Sequence, residues 1–147
     1  MEIRQVDISG KRAVRRRAVA RGFIKLRPET IQRMRSGEVE KGDPLQIARI
    51  AGINAAKLTP LLLPLCHPLR IEHASVDLEI KDCGVEVVAT VTATEKTGVE
   101  MEALTAAAIA LLNIWDAVKA YEKDERGQYP ETLIREVRVV EKEKGEA

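Results

Sequence analysis

The stretch Val76-Asp77-Leu78-Glu79-Ile80-Lys81-Asp82-Cys83-Gly84-Val85-Glu86-Val87-Val88-Ala89-Thr90-Val91 decides the fold class. Val76, Leu78 and Ile80 alternate with Asp77 and Glu79, the period of a strand with one buried face. Lys81-Asp82-Cys83-Gly84 has the composition of a turn, and Val85, Val87, Ala89 and Val91 form the returning arm of a hairpin. Thr97-Gly98 then precedes a long helix, Val99 to about Glu122, and Leu133 to Val140 reads as a last strand.

Upstream of the hairpin, Ala13 to Leu26 contains β-compatible residues and no helix cap, which predicts a strand. Arg27-Pro28-Glu29-Thr30 opens a short helix that Ser36-Gly37 closes. Gly42-Asp43-Pro44 starts a second, with Asp43 as N-cap and Pro44 at the first helical position. This helix carries Leu45, Ala48, Ile50, Ala51, Ala55 and Ala56 and is expected to finish near Thr59-Pro60. Gly52 inside it marks either a kink or a close packing contact. Pro64 and Pro68 exclude ordinary helix from Leu61 to Leu69, leaving a stiff apolar loop that presents Cys66 and His67. The order is strand, two helices, strand, strand, helix, strand. It fits an α+β fold, a ferredoxin-like antiparallel sheet with helices packed on one face, in a single domain over residues 1–147.

Composition narrows the function classes. With 45% apolar and 32% charged residues and a net charge of +1, the chain is globular, and bulk charge favours neither nucleic acid nor membrane. Aromatics at 3% leave few platforms for stacking bases. Two cysteines, Cys66 and Cys83, make no secreted disulfide framework, and Met1-Glu2-Ile3-Arg4-Gln5 opens no signal-type apolar run. The longest apolar stretch, Ala103 to Trp115, is too short for a bilayer. A cytoplasmic protein is the expectation. That stretch is apolar nearly all round its helix, which calls for two covering layers. The sheet supplies one and a second subunit is expected to supply the other, which predicts a homo-oligomer.

Charged residues collect at both ends of the same helix. Glu100 and Glu102 stand at its start, and Asp116 and Lys119, three apart and on one face, near its end. Either these are dipole-friendly and surface pairs, or they are functional; in the second case one small substrate reaches both ends only across a subunit interface. His67 is open to acid/base, ligand-contact or metal-ligand roles, or is a hydrogen-bonded loop residue. Cys66 reads as a packed small side chain or a nucleophile. Lys41, before the second helix, is an anion ligand or a solvated lysine. Arg15, Arg17 and Arg21 face one side of their strand and Arg16 the other. No Gly-x-x-x-x-Gly-Lys or Gly-x-Gly-x-x-Gly pattern occurs, and no ligand spacing supports a metal.

Five blocks carry a combined signal: Val6-Asp7-Ile8-Ser9; Lys41-Gly42-Asp43 followed by Ala48-Arg49-Ile50-Ala51-Gly52-Ile53; Leu63-Pro64-Leu65-Cys66-His67-Pro68-Leu69; Thr97-Gly98-Val99-Glu100-Met101-Glu102-Ala103-Leu104-Thr105-Ala106; and Asp116-Ala117-Val118-Lys119-Ala120. In this order they resemble the molybdenum cofactor biosynthesis protein C family over nearly the whole chain. The resemblance implies a lyase-type synthase that converts a 3′,8-cyclised dihydro-GTP to cyclic pyranopterin monophosphate and expels pyrophosphate. A catalytically silent pterin- or nucleotide-binding relative is the alternative. The resemblance also implies homohexamers, trimers of dimers, with sites at a dimer interface; no metal or other cofactor is expected. By matching position, Lys41, Asp116 and Lys119 are implied as catalytic, their pKa values pulled in opposite directions to suit proton transfer near neutrality. Leu65, Cys66, His67, Glu100, Met101 and Glu102 are implied as substrate-holding, with Asp7 and Arg16 as further contacts. The tail Glu141-Lys142-Glu143-Lys144-Gly145-Glu146-Ala147 departs from the Gly-rich ending of the family, which leaves open which lysine contacts phosphate there.

Overall fold

Alternation of small apolar side chains along neighbouring strands creates the buried face on which the helices lie. A computed structural model describes residues 1–145. The elements are β1 (Val14–Lys25), α1 (Pro28–Ser36), α2 (Pro44–Leu62), β2 (Ile71–Lys81), β3 (Gly84–Glu95), α3 (Glu100–Glu122) and β4 (Leu133–Lys144). They form one antiparallel sheet in the order β2-β3-β1-β4, the ferredoxin-like arrangement expected. In β3, Val85, Val87, Ala89, Val91 and Ala93 are fully buried; in β1, Ala18, Ala20 and Ile24 meet the same core. Arg15 and Arg21 point to the opposite face and are exposed, as strand alternation requires.

α3 lies across β1 and β3, and α2 lies across β2 and along the flank of α3. The second covering layer of α3 is therefore α2 of the same chain, so the apolar circumference of α3 does not by itself require a partner. By length and hydropathy α3, with 23 residues, would cross a bilayer. Yet Ala103, Ala106, Ala107, Ala110, Leu111 and Ile114 are wholly buried between the sheet and α2, which makes it a core helix.

Asp43 caps α2 as expected, its Oδ1 accepting the Leu45 N–H at 3.0 Å. The helix does not stop at Pro60. The proline gives up only its own N–H, and the Leu63 N–H still reaches the Thr59 carbonyl at 2.9 Å, so the helix runs on to Leu62. β4 also runs past Val140 to Lys144, because the charged tail pairs with β1 and Arg17 Nη1 donates to Glu141 at 3.0 Å. Of the divergent tail, Glu146 and Ala147 lie outside the described residues.

Gly52 serves a close packing contact. A Cβ there would stand 3.0 Å from the Ala106 carbonyl, 3.0 Å from Val76 Cγ2 and 3.3 Å from Ala110 Cβ. The backbone of α3 occupies one of those places and cannot step aside as a side chain would. Gly52→Val is expected to lower the unfolding free energy by about 1–3 kcal/mol, the usual cost of overpacking. An unchanged denaturant midpoint would show room that these distances deny.

Candidate functional site

α2 and α3 run antiparallel, so the start of one helix lies beside the end of the other. At one end of the pair, the turn before α2 brings Lys41 to Asp116 near the end of α3. Lys41 Nζ donates to Asp116 Oδ2 at 2.9 Å, and Lys119 Nζ donates to Asp116 Oδ1 at 2.9 Å. The three side chains are about half exposed. A carboxylate between two ammonium groups is stabilised in its charged form, so Asp116 falls to about 2, through its bonds to Lys119 first and Lys41 second. Lys119 rises, through the hydrogen bond and charge of Asp116. This corrects the expectation of groups tuned towards neutrality. Unlike charges stabilise each other, and the resting cluster sets the Lys41 and Lys119 side chains on either side of an ionised carboxylate.

At the other end, the loop after α2 meets the start of α3 beneath the N-terminal segment. A cleft of about 740 Å³ opens there, lined by Asp7, Leu65, Cys66, His67, Glu100 and Met101. Lys11 joins this lining, unmarked by any motif. His67 Nε2 stands 2.7 Å from the Val6 carbonyl, which only accepts, so Nε2 carries the hydrogen. Asp7 Oδ1 accepts the Ser9 N–H at 2.9 Å. Bonds from Ser9 hold the Asp7 carboxyl below its ordinary value, helped by His67 and Lys96.

Glu100 and Glu102 have different surroundings. Glu100 reaches Lys142 of β4 at 2.6 Å. Burial pushes its carboxyl up, but the bond and charge of Lys142, its own N–H and Arg16 outweigh this, and the net shift is downward. The divergent tail thus places a lysine, Lys142, at the rim of the cleft. Glu102 lies behind that wall at 1% exposure. Its Oε2 faces Cys66 Sγ at 3.8 Å and its Oε1 has no partner. Burial raises the Glu102 carboxyl, and burial with the neighbouring Glu102 raises the Cys66 thiol. Its half-buried place in the cleft wall thus favours the thiol over the thiolate form of Cys66. Arg16 is not in the cleft. It is buried beneath the β3–α3 connection, with Nε and Nη2 donating to the Glu95 and Lys96 carbonyls at 3.3 Å each. Among the described residues, no group of three or more His, Cys, Asp or Glu stands ready to hold a metal ion.

Within one chain the two ends stay apart. Glu102 and Asp116 are separated by fourteen residues of α3, roughly 20 Å at ~1.5 Å per residue. The fold and this division define a ferredoxin-like α+β protein whose cleft and charged cluster sit at opposite ends of one helix pair. The chain belongs to the MoaC family, whose model matches residues 5–145. It is 58% identical over 137 residues to a protein of Sulfolobus acidocaldarius named probable cyclic pyranopterin monophosphate synthase, covering 93% of this chain and 96% of that one. It is 56% identical over 141 residues to the protein of the same name from Sulfurisphaera tokodaii, covering 96% and 93%. A third of that name, from Archaeoglobus fulgidus, is 53% identical over 144 residues, covering 98% and 92%.

The cluster makes a titration prediction. Lys119→Ala and Lys41→Ala are each expected to raise the Asp116 pKa from about 2, Lys119→Ala by more, as followed by carbon NMR of the carboxyl. Because the folded pKa is depressed, whatever stability the cluster adds is present above the ordinary value of 3.8 and is lost as pH falls towards 2. An Asp116 that titrates unchanged in both variants would refute the pairing.

Proposed function

We propose that this chain is a cyclic pyranopterin monophosphate synthase of molybdenum cofactor biosynthesis, a cytoplasmic lyase. It converts the 3′,8-cyclised dihydro-GTP to cyclic pyranopterin monophosphate and releases pyrophosphate. The observation that carries this reading is the Lys41–Asp116–Lys119 cluster at one end of the helix pair and, at the other, a cleft lined by Leu65, Cys66, His67, Glu100 and Met101. Both sit on the family's blocks, in a chain more than half identical to proteins of that name.

The chemistry follows from the groups present. Lys119, whose charged form Asp116 favours, and Lys41 donate protons to ring atoms as rings open and close, and their charge offsets the phosphate oxygens during cyclisation. Asp116 accepts a proton only when an incoming anion draws a lysine away, because pairing otherwise keeps it ionised. The cleft holds the pterin-forming part of the substrate. His67 is oriented there by the Val6 carbonyl, and ionised Glu100 accepts from the guanine-derived N–H edge. Lys11, Lys96 and Lys142 lie near enough to the cleft to balance phosphate charge.

A working site then takes the cleft of one subunit and the cluster of another. An apolar stripe favours this assembly. Ile50, Leu58 and Leu61 are 62%, 48% and 79% exposed on the outer face of α2, and Leu62 and Leu65 continue the stripe to the mouth of the cleft. A second copy covering the stripe would bring its own cluster to that mouth, and three such dimers would make the hexamer.

Single-turnover assays with the cyclised substrate test the reaction. Wild type is expected to release pyrophosphate, and Lys41→Ala and Asp116→Ala to lose at least about 100-fold in rate, as for residues acting on the reacting atoms, with assembly intact. A wild type that binds substrate without releasing pyrophosphate would make the chain a binding relative. Co-refolding Asp116→Ala with His67→Ala is expected to recover activity that neither variant has alone, since some mixed interfaces carry one complete site. No recovery would place both ends of the site in one subunit.

A further inference from the structure

We propose that Tyr121 is a positioning residue for Lys41, holding the turn that carries the lysine against the end of α3. The inference rests on the reading of Lys41 and Asp116 as one reacting cluster. Lys41 is the third residue of the turn Val39–Gly42, closed by the Gly42 N–H donating to the Val39 carbonyl at 3.1 Å. Gly42 adopts φ +112°, a conformation that residues with side chains rarely take, and so turns the chain sharply into the Asp43 cap of α2. The turn leaves the N–H of Glu40, its second residue, without a partner in its own backbone. The Tyr121 hydroxyl accepts that N–H at 2.9 Å.

The ring is held in turn. The Arg33 guanidinium, from the last turn of α1, lies 4.4 Å over the Tyr121 centroid, and Arg33 Nη1 donates to the Glu38 carbonyl at 3.4 Å. One tyrosine therefore receives the turn on its hydroxyl and the end of α1 on its face. The next residue, Glu122, secures the other end of α1. Its buried carboxylate accepts the Arg27 N–H at 3.0 Å, the Thr132 hydroxyl at 2.6 Å and the Thr30 hydroxyl. α1 thus spans two anchors on consecutive residues of α3, and the Lys41 turn follows the second.

A lysine is a flexible stem, and a protein fixes such an amine by fixing the backbone beneath it. Tyr121 and Asp116 ride on the same rigid helix, five residues apart. The 2.9 Å contact between Lys41 and Asp116 is therefore set through Tyr121. Val39, only 9% exposed, keeps the turn attached when the hydroxyl is removed, so the variant stays folded.

Tyr121→Phe removes the acceptor and keeps the ring. Its kcat is expected to fall about tenfold with KM within about twofold, less than the loss from misplacing a reacting group by an ångström. In a Lys41→Arg background the same change is expected to cost almost nothing further. Wild-type turnover by Tyr121→Phe, or an equal loss in both backgrounds, overturns the proposal. A second measurement needs no turnover. The Asp116 carboxyl, at about 2 in the wild type, is expected to titrate higher in Tyr121→Phe, and no higher in the Tyr121→Phe, Lys41→Ala double variant than in Lys41→Ala. An unmoved Asp116 in Tyr121→Phe overturns the proposal whatever the activity. A moved Asp116 in a protein whose wild type releases no pyrophosphate keeps the role of Tyr121 and sinks the synthase reading instead.

Discussion

The buried faces of α2 and α3 are rich in residues with no side chain larger than a methyl group. Ala48, Gly52, Ala55 and Ala56 are buried in α2, and Ala103, Ala106, Ala107 and Ala110 in α3, with Gly52 set directly against Ala106 and Ala110. Small residues let two helices approach until backbone meets backbone, as the place of Gly52 against the Ala106 carbonyl shows. This close, antiparallel seam fixes where the charged cluster and the cleft sit. The turn entering α2 must arrive beside the end of α3, which puts Lys41 on Asp116. The loop leaving α2 must arrive beside the start of α3, which puts Cys66 and His67 over Glu100 and Met101. The length of the seam then holds the two ends apart.

The same framework sorts the charged residues by environment. Asp116 lies in water between two ammonium groups and is pinned as a carboxylate. Glu102, two residues into α3, is sealed behind Cys66 and driven towards its neutral form. Glu100, on the adjacent face of that first turn, is kept ionised by Lys142. Three carboxylates on one helix thus meet three different surroundings, two favouring the charge and one opposing it.

Much of this was legible in the residues. The alternation from Val76 to Val91, the Asp43-Pro44 start and the long apolar run after Gly98 gave the order of elements, because each is a local signal with a local cause. The family blocks pointed to both ends of the site. What could not be read locally were consequences of packing. That α2 supplies the second cover of α3 depends on which faces meet. That Glu102 is buried and Arg16 ties down the β3–α3 connection depends on depth, which a strand or helix period does not report. The direction of the Asp116 and Lys119 shifts follows from a separation of 2.9 Å that spacing alone does not give. Tyr121 and Glu122 carried no motif, since their partners lie far away in the chain.

The tail of β4 has a bearing on how sheets of this protein meet one another. Glu141 and Glu143 lie on the side that reaches Arg17, and Lys142 and Lys144 alternate with them. Were two such edges to join about a two-fold axis, Glu would stand opposite Glu on one face and Lys opposite Lys on the other, a repulsive register. The charged ending is therefore a guard against growth of the sheet from chain to chain. In the proposed assembly, copies meet instead on the apolar outer face of α2, a two-fold contact that closes on itself and does not extend into a fibre.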